Sequence, residues 1–393
     1  MAQINNIKSK IQIIEEALTK RESNIDEKMK LIQKKEEELT KKENELNKKE
    51  QELLEREQNN DNMPQADDFN PIPPQPKNDD NNNHSLPTKK TLRYGIEIPY
   101  LGLGTSRIFH PVDYVYISIK NGLRLIDTAF KYRNEENVGK GIKKALDEGL
   151  CKREDLFIIG KMWLSERKDP EKAIKDTLKL LHLNYLDLYL DHWPSGNIYE
   201  INNDVTYQQS IFDVWSKMES LVEKGLTRGI GCSNYNVQSL LNLLSFCKIK
   251  PVVNEVELHP YYYQKNLKKF CDKENIALIA YYPLAHGNGA KEYIKVTGKM
   301  DSFQEQNILK LSEKYKKSPA QIILNWEISQ GIITIPGISQ VNTDEAIIKE
   351  RIKENLETFD FKMDNEDIKL LNSIGKKKKF CDCIRFFGIN IMA

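Results

Sequence analysis

The stretch Asn121–Gly139 reads NGLRLIDTAFKYRNEENVG and is the most informative part of the chain for predicting its fold. Its apolar run breaks off at Asp127, and Tyr132 follows in the short polar segment after it. A short apolar run with a polar end is typical of a buried strand followed by a loop. In a barrel of parallel strands, catalytic groups lie at this end of the strand. The stretch therefore predicts a carboxylate and a phenol at a site of chemistry.

Two later apolar runs end in the same way. LFIIGKMW contains Lys161 near its end, and YLDLYLDHW is closed by His192. At successive strand ends, an ammonium can lower the pKa of a phenol, a carboxylate can hold the ammonium, and an imidazole can orient a carbonyl group. Any one of these residues taken alone is most often structural. Their occurrence together at matched positions favours a proton-transfer set, made of Asp127, Tyr132, Lys161 and His192.

The rest of the chain extends this pattern into a barrel. From Leu92 onward, short apolar runs alternate with helix-length amphipathic segments, and eight of the runs are strand candidates: YLGLGT, LRLIDTA, LFIIGKM, YLDLYL, TRGIGCSN, PVVNEVEL, IALIAYY and GIITIPG. This alternation predicts the α/β class and one (β/α)8 TIM barrel. The rival architecture is a doubly wound open sheet. It is disfavoured because neither a third glycine nor a helix start follows Gly102 and Gly104.

The first 90 residues differ in composition from the barrel region. Residues 1–58 carry a heptad repeat with Ile or Leu at one position, which predicts a long α-helix. The second core position is mostly Lys or Arg. Two alternatives therefore stay open, a coiled coil that self-associates through residues 4–57 or a single helix stabilised by Glu–Lys pairs.

A linker and the barrel domain follow this helix. Residues 59–90 are rich in Asn, Asp and Pro and predict a flexible, disordered linker. Residues 91–393 are the predicted barrel domain. Because the linker composition suggests no packing across it, we expect that removal of residues 1–88 leaves the stability of the barrel nearly unchanged.

Composition narrows the class of protein. The 393 residues include 59 Lys and Arg against 58 Asp and Glu, and this formal net charge of +1 gives no reason to expect nucleic acid as a partner. The six cysteines show neither disulfide-framework density nor metal-ligand spacing, which favours reduced thiols, a cytoplasmic location and no metal site. No secretory signal or membrane span is visible in the sequence.

Eight segments resemble those of the aldo-keto reductases, in that family's order and near its spacing. They fall within roughly residues 91 to 385 and read GIEIPYLGLGTS, IDTAFKYRNEENVG, GKMW, LDHWP, GLTRGIGCSNY, VNEVELHPYY, AYYPLA and RIKENLETFDF. The resemblance implies a barrel that reduces the carbonyl group of small aldehydes or ketones with NADPH. It makes Tyr132 the general acid and Lys161 the group that lowers its pKa. Asp127 then holds Lys161, and His192 orients the substrate carbonyl.

The resemblance also implies where NADP binds. Ser233 and Asn234 match residues that hold the nicotinamide carboxamide, and Tyr281 matches the ring that stacks on the nicotinamide. Trp163, His192 and Trp193 are the implied walls of the substrate pocket. The full set of implied cofactor-binding residues is Gly104, Thr105, Asp127, Ser233, Asn234, Glu255, Tyr281, Leu284, Arg351, Glu354 and Asn355.

Several positions depart from the family's pattern. Glu255 replaces a Gln, and a carboxylate accepts hydrogen bonds but cannot donate them. Because a carboxylate is negative and the oxidised nicotinamide is positive, we also expect Glu255 to favour binding of the oxidised cofactor. Gly337 replaces the Lys that neutralises the 2′-phosphate of NADP. Arg351 suits a 2′-phosphate, and Lys349 and Lys353 are the candidates to replace the missing Lys, so NADP is expected, with NAD as the alternative. Ser106 and Tyr282 alter the substrate side of the pocket.

The C-terminal segment GKKKKFCDCIRFFGINIMA has two interpretations. The resemblance implies a lid over the barrel mouth, whereas lysines beside Cys381 and Cys383 can accompany acylation and membrane attachment. Function also has two hypotheses. One is a carbonyl reductase, and the other is a cofactor-binding redox sensor or scaffold with little turnover, coupled to partners through the N-terminal helix. The complete proton-transfer set favours the enzyme.

Overall fold

The computed structural model shows a barrel of eight parallel strands surrounded by helices. It describes residues 85–108, 110–194, 209–285, 302–337, 344–375 and 379–381. The strands are β1 (Lys89–Thr91), β2 (Glu97–Pro99), β3 (Gly102–Gly104), β4 (Leu125–Asp127), β5 (Phe157–Met162), β6 (Leu186–Asp191), β7 (Thr227–Ser233), β8 (Val253–Glu257), β9 (Ala277–Tyr281) and β10 (Ile333–Thr334). The α-helices are α1 (Pro111–Lys120), α2 (Glu135–Asp147), α3 (Pro170–Leu181), α4 (Ile211–Glu223), α5 (Val237–Leu244), α6 (Lys265–Lys273), α7 (Gln306–Tyr315), α8 (Pro319–Ser329), α9 (Glu345–Leu356) and α10 (Asn365–Asn372).

The strands β3 to β10 pair in chain order, and all their pairings are parallel. The first and last strands also meet, because Thr334 N donates to Tyr100 O at 2.8 Å and Gly104 N donates to Pro336 O at 3.2 Å. A doubly wound sheet has two open edges, whereas this sheet closes on itself. The predicted (β/α)8 barrel is therefore confirmed, and the open-sheet rival is excluded.

Both faces of the strands are buried, which explains why they read as near-continuous apolar runs. Successive side chains point to opposite faces of the sheet. On β5, Ile159 joins the apolar cluster inside the barrel. Its neighbour Ile158 joins the cluster between the sheet and the helices. The polar residues at the strand ends are thus held by two packed layers.

An antiparallel hairpin closes the N-terminal end of the barrel. Strands β1 and β2 pair from Lys89 with Pro99 to Thr91 with Glu97. Ile96 reaches under β7 so closely that a Cβ on Gly229 would lie 2.8 Å from its Cδ1. Leu86 is also buried, and its backbone N donates to Phe359 O at 3.1 Å. Leu86 and β1 therefore belong to the barrel, although the sequence assigned residues 59–90 to the linker.

Other predictions fall on residues that the structure does not describe. The heptad helix of residues 1–58, its self-association through residues 4–57 and most of the linker lie outside the described residues. The same holds for Cys383 at the C-terminus. Among the described helices, none is long and apolar enough to cross a membrane.

Candidate active site

Polar side chains from successive strands meet at the C-terminal end of the barrel. Asp127 is the last residue of β4 and Ser233 is the last residue of β7. Lys161 is the next-to-last residue of β5, and His192 directly follows β6. The sequence places each of them locally, because each follows a run of apolar residues that packs in the sheet. The barrel brings them to one mouth, as predicted.

The Lys161 ammonium is the centre of this arrangement. It donates to Asp127 Oδ2, to Tyr132 Oη at 3.2 Å and to Thr128 O at 3.3 Å. Glu255 Oε1 lies 3.2 Å from the same nitrogen. The side chain of Lys161 is fully buried, so the charge is balanced by these groups alone rather than by solvent.

The loop that carries Tyr132 is held by local hydrogen bonds. A single turn spans Phe130–Tyr132 and ends at Arg133, whose φ of 58° is left-handed. The next residue, Asn134, donates from Nδ2 to Thr105 O at 2.8 Å. These contacts fix the phenol over the end of β4.

Burial raises the pKa of Tyr132, and the nearby Lys161 ammonium offsets only part of that rise. Lys161 thus lowers this pKa, in the expected direction, but burial of the phenol has the larger effect. The desolvation of the phenol outweighs one cation, whose charge is already shared with Asp127 and Glu255. A phenol with a raised pKa stays protonated at neutral pH. It is suited to donate a proton rather than to accept one.

His192 packs against the phenol and the pocket wall. Its ring centroid lies 5.9 Å from that of Tyr132 and 5.1 Å from that of Trp163, both edge to face. Burial lowers the pKa of His192 well below its usual range, and the charges of Lys161 and Lys131 lower it further. The imidazole is therefore neutral, and it can donate one hydrogen bond to a carbonyl oxygen.

A second group of polar residues lies beside this set. Ser233 Oγ donates to Glu255 O at 2.9 Å, and Asn234 Nδ2 contacts Ser233 Oγ at 3.1 Å and His192 O at 3.0 Å. Tyr281 Oη donates to Asn234 Oδ1 at 2.9 Å. Asn234 adopts a φ of 63°, which Asn tolerates better than most residues. The structure thus brings together the four residues expected around the nicotinamide.

Gly104 and Thr105 shape the backbone at the end of β3. A Cβ on Gly104 would lie 2.8 Å from Ile335 O, so only glycine allows β3 to approach the segment after β10 this closely. Thr105 donates from its N and its Oγ1 to Asp127 O at 3.0 and 2.8 Å. Both residues therefore position the strand that carries Asp127.

The residues expected at the adenosine end lie on α9. Asn355 is buried, whereas Arg351 is exposed. The backbone O of Glu354 accepts from Gln321 Nε2 at 2.9 Å, which ties α9 to α8. Leu284 is half-buried in the segment after β9, and its backbone O accepts from Ser302 Oγ.

The site has features that fit a nicotinamide carboxamide. Among the described residues, Glu255 Oε2 and His192 Nδ1 are buried without a hydrogen-bond partner. Buried polar atoms in folded proteins almost always have a partner. An orphaned carboxyl oxygen beside Ser233 and Asn234 can accept from an amide N–H, so these residues fit the cofactor that the sequence implied.

Sequence reasoning missed three contributions to the site. Lys131 Nζ lies 4.6 Å from the ring centroid of Trp163 at the pocket wall, and only its position beside Tyr132 could have indicated this. The carbonyl of Thr128 binds Lys161, and a backbone group leaves no signal in a sequence. Glu255 contacts Lys161 as well, although the sequence placed it only against the cofactor. Both tryptophans of the expected pocket, Trp163 and Trp193, are buried.

The start of the C-terminal segment contacts the barrel mouth. The backbone N of Phe380 and of Cys381 donate to the Glu257 carboxylate, the latter at 2.8 Å. The Phe380 ring lies 5.2 Å from the His259 ring and 5.6 Å from the Tyr282 ring. These contacts agree with the lid interpretation as far as residues 379–381 extend. Within the described ranges, no cluster of His, Cys, Asp and Glu could hold a metal ion.

Comparisons with known proteins identify the family and the relatives that this chain resembles. The sequence model described as the aldo/keto reductase family matches residues 110–376. Aldose reductase B of Dictyostelium discoideum is 39% identical over 314 residues, which cover 74% of this chain and 94% of that protein. Glyoxal reductase of Bacillus subtilis is 36% identical over 300 residues, covering 75% and 95%. A crystal structure of an aldo-keto reductase complexed with NADPH superimposes with a TM-score of 0.67 and 29% identity, covering 76% of this chain and 90% of that one.

Proposed function

The chain belongs to the aldo/keto reductase family, and from that premise we propose the roles of its site residues. The protein is an NADP(H)-dependent oxidoreductase that reduces the carbonyl group of small aldehydes or ketones to an alcohol. The observation that supports the catalytic roles is the Lys161 ammonium, which lies 3.2 Å from the Tyr132 phenol and also binds Asp127. NADPH, when bound, supplies the hydride.

Three residues handle the proton in this proposal. Tyr132 Oη gives its proton to the carbonyl oxygen as negative charge develops there. The resulting phenolate is stabilised by the Lys161 ammonium beside it. His192 is neutral, so it donates a hydrogen bond to the same oxygen without competing as an acid. Asp127 keeps the ammonium in place and charged in a buried site.

The remaining residues bind and orient. Ser233, Asn234 and Glu255 hold the nicotinamide carboxamide, and Tyr281 packs on the ring. In support, hydrogen bonds join the side chains of Ser233, Asn234 and Tyr281 at the mouth, and Ser233 Oγ also donates to the backbone O of Glu255. On α9, Arg351, Glu354 and Asn355 bind the adenosine end, where the exposed Arg351 guanidinium suits the 2′-phosphate. Gly104, Thr105 and Leu284 shape the backbone around the cofactor. Trp163 and Trp193 form the pocket walls.

The test is Tyr132→Phe, measured as NADPH oxidation with a generic aromatic aldehyde. Loss of the general acid lowers kcat by about 100- to 10,000-fold, while the Kd for NADPH stays within about twofold. Tyr94→Phe is the matched control, because that tyrosine is 60% exposed in the hairpin at the other end of the barrel. Wild-type protein that binds NADPH tightly without turnover would instead support the redox-sensor hypothesis.

We also propose a cytoplasmic location and self-association of the N-terminal helix. The five cysteines that the structure describes form no disulfide, which suits a reducing compartment. The strict heptad over residues 4–57 supports self-association. Light scattering on the full chain and on a variant without residues 1–58 gives the number of chains per particle. The same number in both proteins would refute self-association through this helix.

A further inference from the structure

Glu255 is a second carboxyl group at the catalytic lysine. Its Oε1 lies 3.2 Å from Lys161 Nζ, the same nitrogen that donates to Asp127 Oδ2. Two ionised carboxylates beside one ammonium leave one negative charge in excess, and a proton on one of the carboxylates removes that excess. All three side chains are no more than 2% exposed. The site thus contains two acids for one ammonium, with no solvent to screen the excess charge.

The other groups that face this pair do not supply a second positive charge. Tyr132 and Tyr281 are phenols, and Ser233 and Asn234 are neutral. His192 is an uncharged imidazole, because burial lowers its pKa well below the usual range. On the same strand as Glu255, the carboxylate of Glu257 is occupied by His259 Nε2 and the backbone of the C-terminal segment.

The two acids are not equivalent. Asp127 receives the closest contact from the ammonium and so holds its negative charge more easily. Burial raises the pKa of Glu255 well above its ordinary range, and the negative charge of Asp127 raises it further. Glu255 is therefore the carboxyl that keeps the proton. Its Oε2 lacks a hydrogen-bond partner among the described residues, so this atom can accept from a ligand.

We propose that Glu255 stores the proton that each reduction consumes, keeping it in the free enzyme and with NADPH bound, and holding a negative charge when the oxidised cofactor is bound. The inference rests on the proposed function. Glu255 is two contacts of 3.2 Å away from the Tyr132 oxygen, through Lys161 Nζ. Positive charge on the oxidised nicotinamide replaces the missing second cation, and the second carboxylate then becomes favourable.

The proton balance closes within the site. Tyr132 gives its proton to the carbonyl oxygen, which becomes the hydroxyl of the alcohol. Lys161 then gives a proton to the phenolate oxygen, and the Glu255 O–H gives its proton to the lysine amine. The site ends with an intact phenol, an ammonium and a Glu255 carboxylate. When NADP⁺ leaves and NADPH binds, Glu255 takes up one proton from solvent and is again a neutral acid.

The test measures protons rather than turnover. Isothermal titration of NADP⁺ and of NADPH into the full chain, repeated in buffers of different ionisation enthalpy, gives the number of protons released by each. We expect NADP⁺ binding to release about one proton more than NADPH binding at neutral pH. The comparison cancels any contribution of the 2′-phosphate, which both cofactors carry.

Two variants locate the proton. Glu255→Gln abolishes the difference between the cofactors. Glu327→Gln keeps it, because that carboxyl is equally buried and has a raised pKa but lies on α8 and is not among the described contacts of Lys161. An equal proton count for the two cofactors in the wild type, or a difference that survives Glu255→Gln, overturns the proposal.

The wild type alone gives a second test that does not depend on a variant that folds. Because a proton leaves when NADP⁺ binds, the Kd for NADP⁺ falls by about tenfold for each unit by which the pH rises, over the range in which Glu255 is protonated in the free enzyme. The Kd for NADPH does not change in this way. Parallel pH profiles for the two cofactors refute the stored proton. Failure to bind either cofactor refutes the proposed function instead.

Discussion

The paired acids at Lys161 predict that either one can be removed, but not both. Glu255 Oε1 lies 3.2 Å from the ammonium, and a unit charge pair at that distance is worth about 5 kcal/mol at an effective dielectric constant of 20. This attraction is similar to the cost of several kcal/mol for burying an ion. One carboxylate therefore suffices to keep Lys161 charged. Glu255→Gln should change the free energy of unfolding by no more than about 1 kcal/mol.

Asp127→Asn should cost about 1–2 kcal/mol, because it loses the closest contact while Glu255 takes over the negative charge. The double variant leaves a fully buried ammonium without an anion. Removal of the last partner of a buried charge costs about 3–5 kcal/mol. Asp127→Asn should therefore cost about 1–4 kcal/mol more in the Glu255→Gln background than in the wild type, so the two substitutions are non-additive in the destabilising direction.

Urea unfolding of the full chain at neutral pH without cofactor measures this. All four tryptophans fall between residues 163 and 326, so their fluorescence reports on the barrel. Equal m-values across the four proteins show that the comparison is valid. Asp127→Asn combined with Glu327→Gln is the control pair, expected to be additive since Glu327 does not contact Lys161. Additive costs for Asp127→Asn and Glu255→Gln would refute the shared-partner reasoning.

Three further predictions follow from the described contacts. Arg351→Met should raise the Kd for NADPH by about 10- to 100-fold and leave that for NADH unchanged, because only NADPH carries the 2′-phosphate; fluorescence titration measures both. Burial raises the pKa of Glu135 to about 7, so its contribution to stability is lost as the pH rises through 7. Glu135→Gln should be more stable than wild type by on the order of 2 kcal/mol at about pH 8 and nearly equal at about pH 5, as urea unfolding will show. Removal of residues 1–84 should leave the Tm within about 2 °C, whereas removal of residues 1–88 should cost about 1.5–3 kcal/mol because buried Leu86 is lost; thermal unfolding distinguishes the two.

The pattern of apolar runs in the sequence is sufficient to predict the barrel and much of its site. A run such as LRLID predicts a strand that ends at Asp127, because a strand with apolar residues on both faces must be buried between two layers of the fold. The same reasoning located Lys161 and His192 at neighbouring strand ends. The structure confirms the eight-stranded barrel and brings these residues together with Tyr132.

Local pattern failed where distant segments meet. Leu86 lies in a stretch rich in Asn, Asp and Pro, and only its contact with Phe359 shows that it belongs to the barrel. The sequence shows the cation that lowers the pKa of Tyr132, but not the depth of burial, which raises that pKa by more. The C-terminal segment reaches Glu257 through its backbone N–H groups, which no side chain announces.

The order of residues along the chain is enough to predict a (β/α)8 barrel with an acid, a phenol, an ammonium and an imidazole at its strand ends. It could do so because side-chain periodicity and strand termination depend on neighbours along the chain. That Glu255 on β8 shares the ammonium bound by Asp127 from β4 is visible only in the folded barrel. Curvature of a closed sheet brings those strands across one mouth, and electrostatic energy depends on that distance through space rather than on separation in sequence.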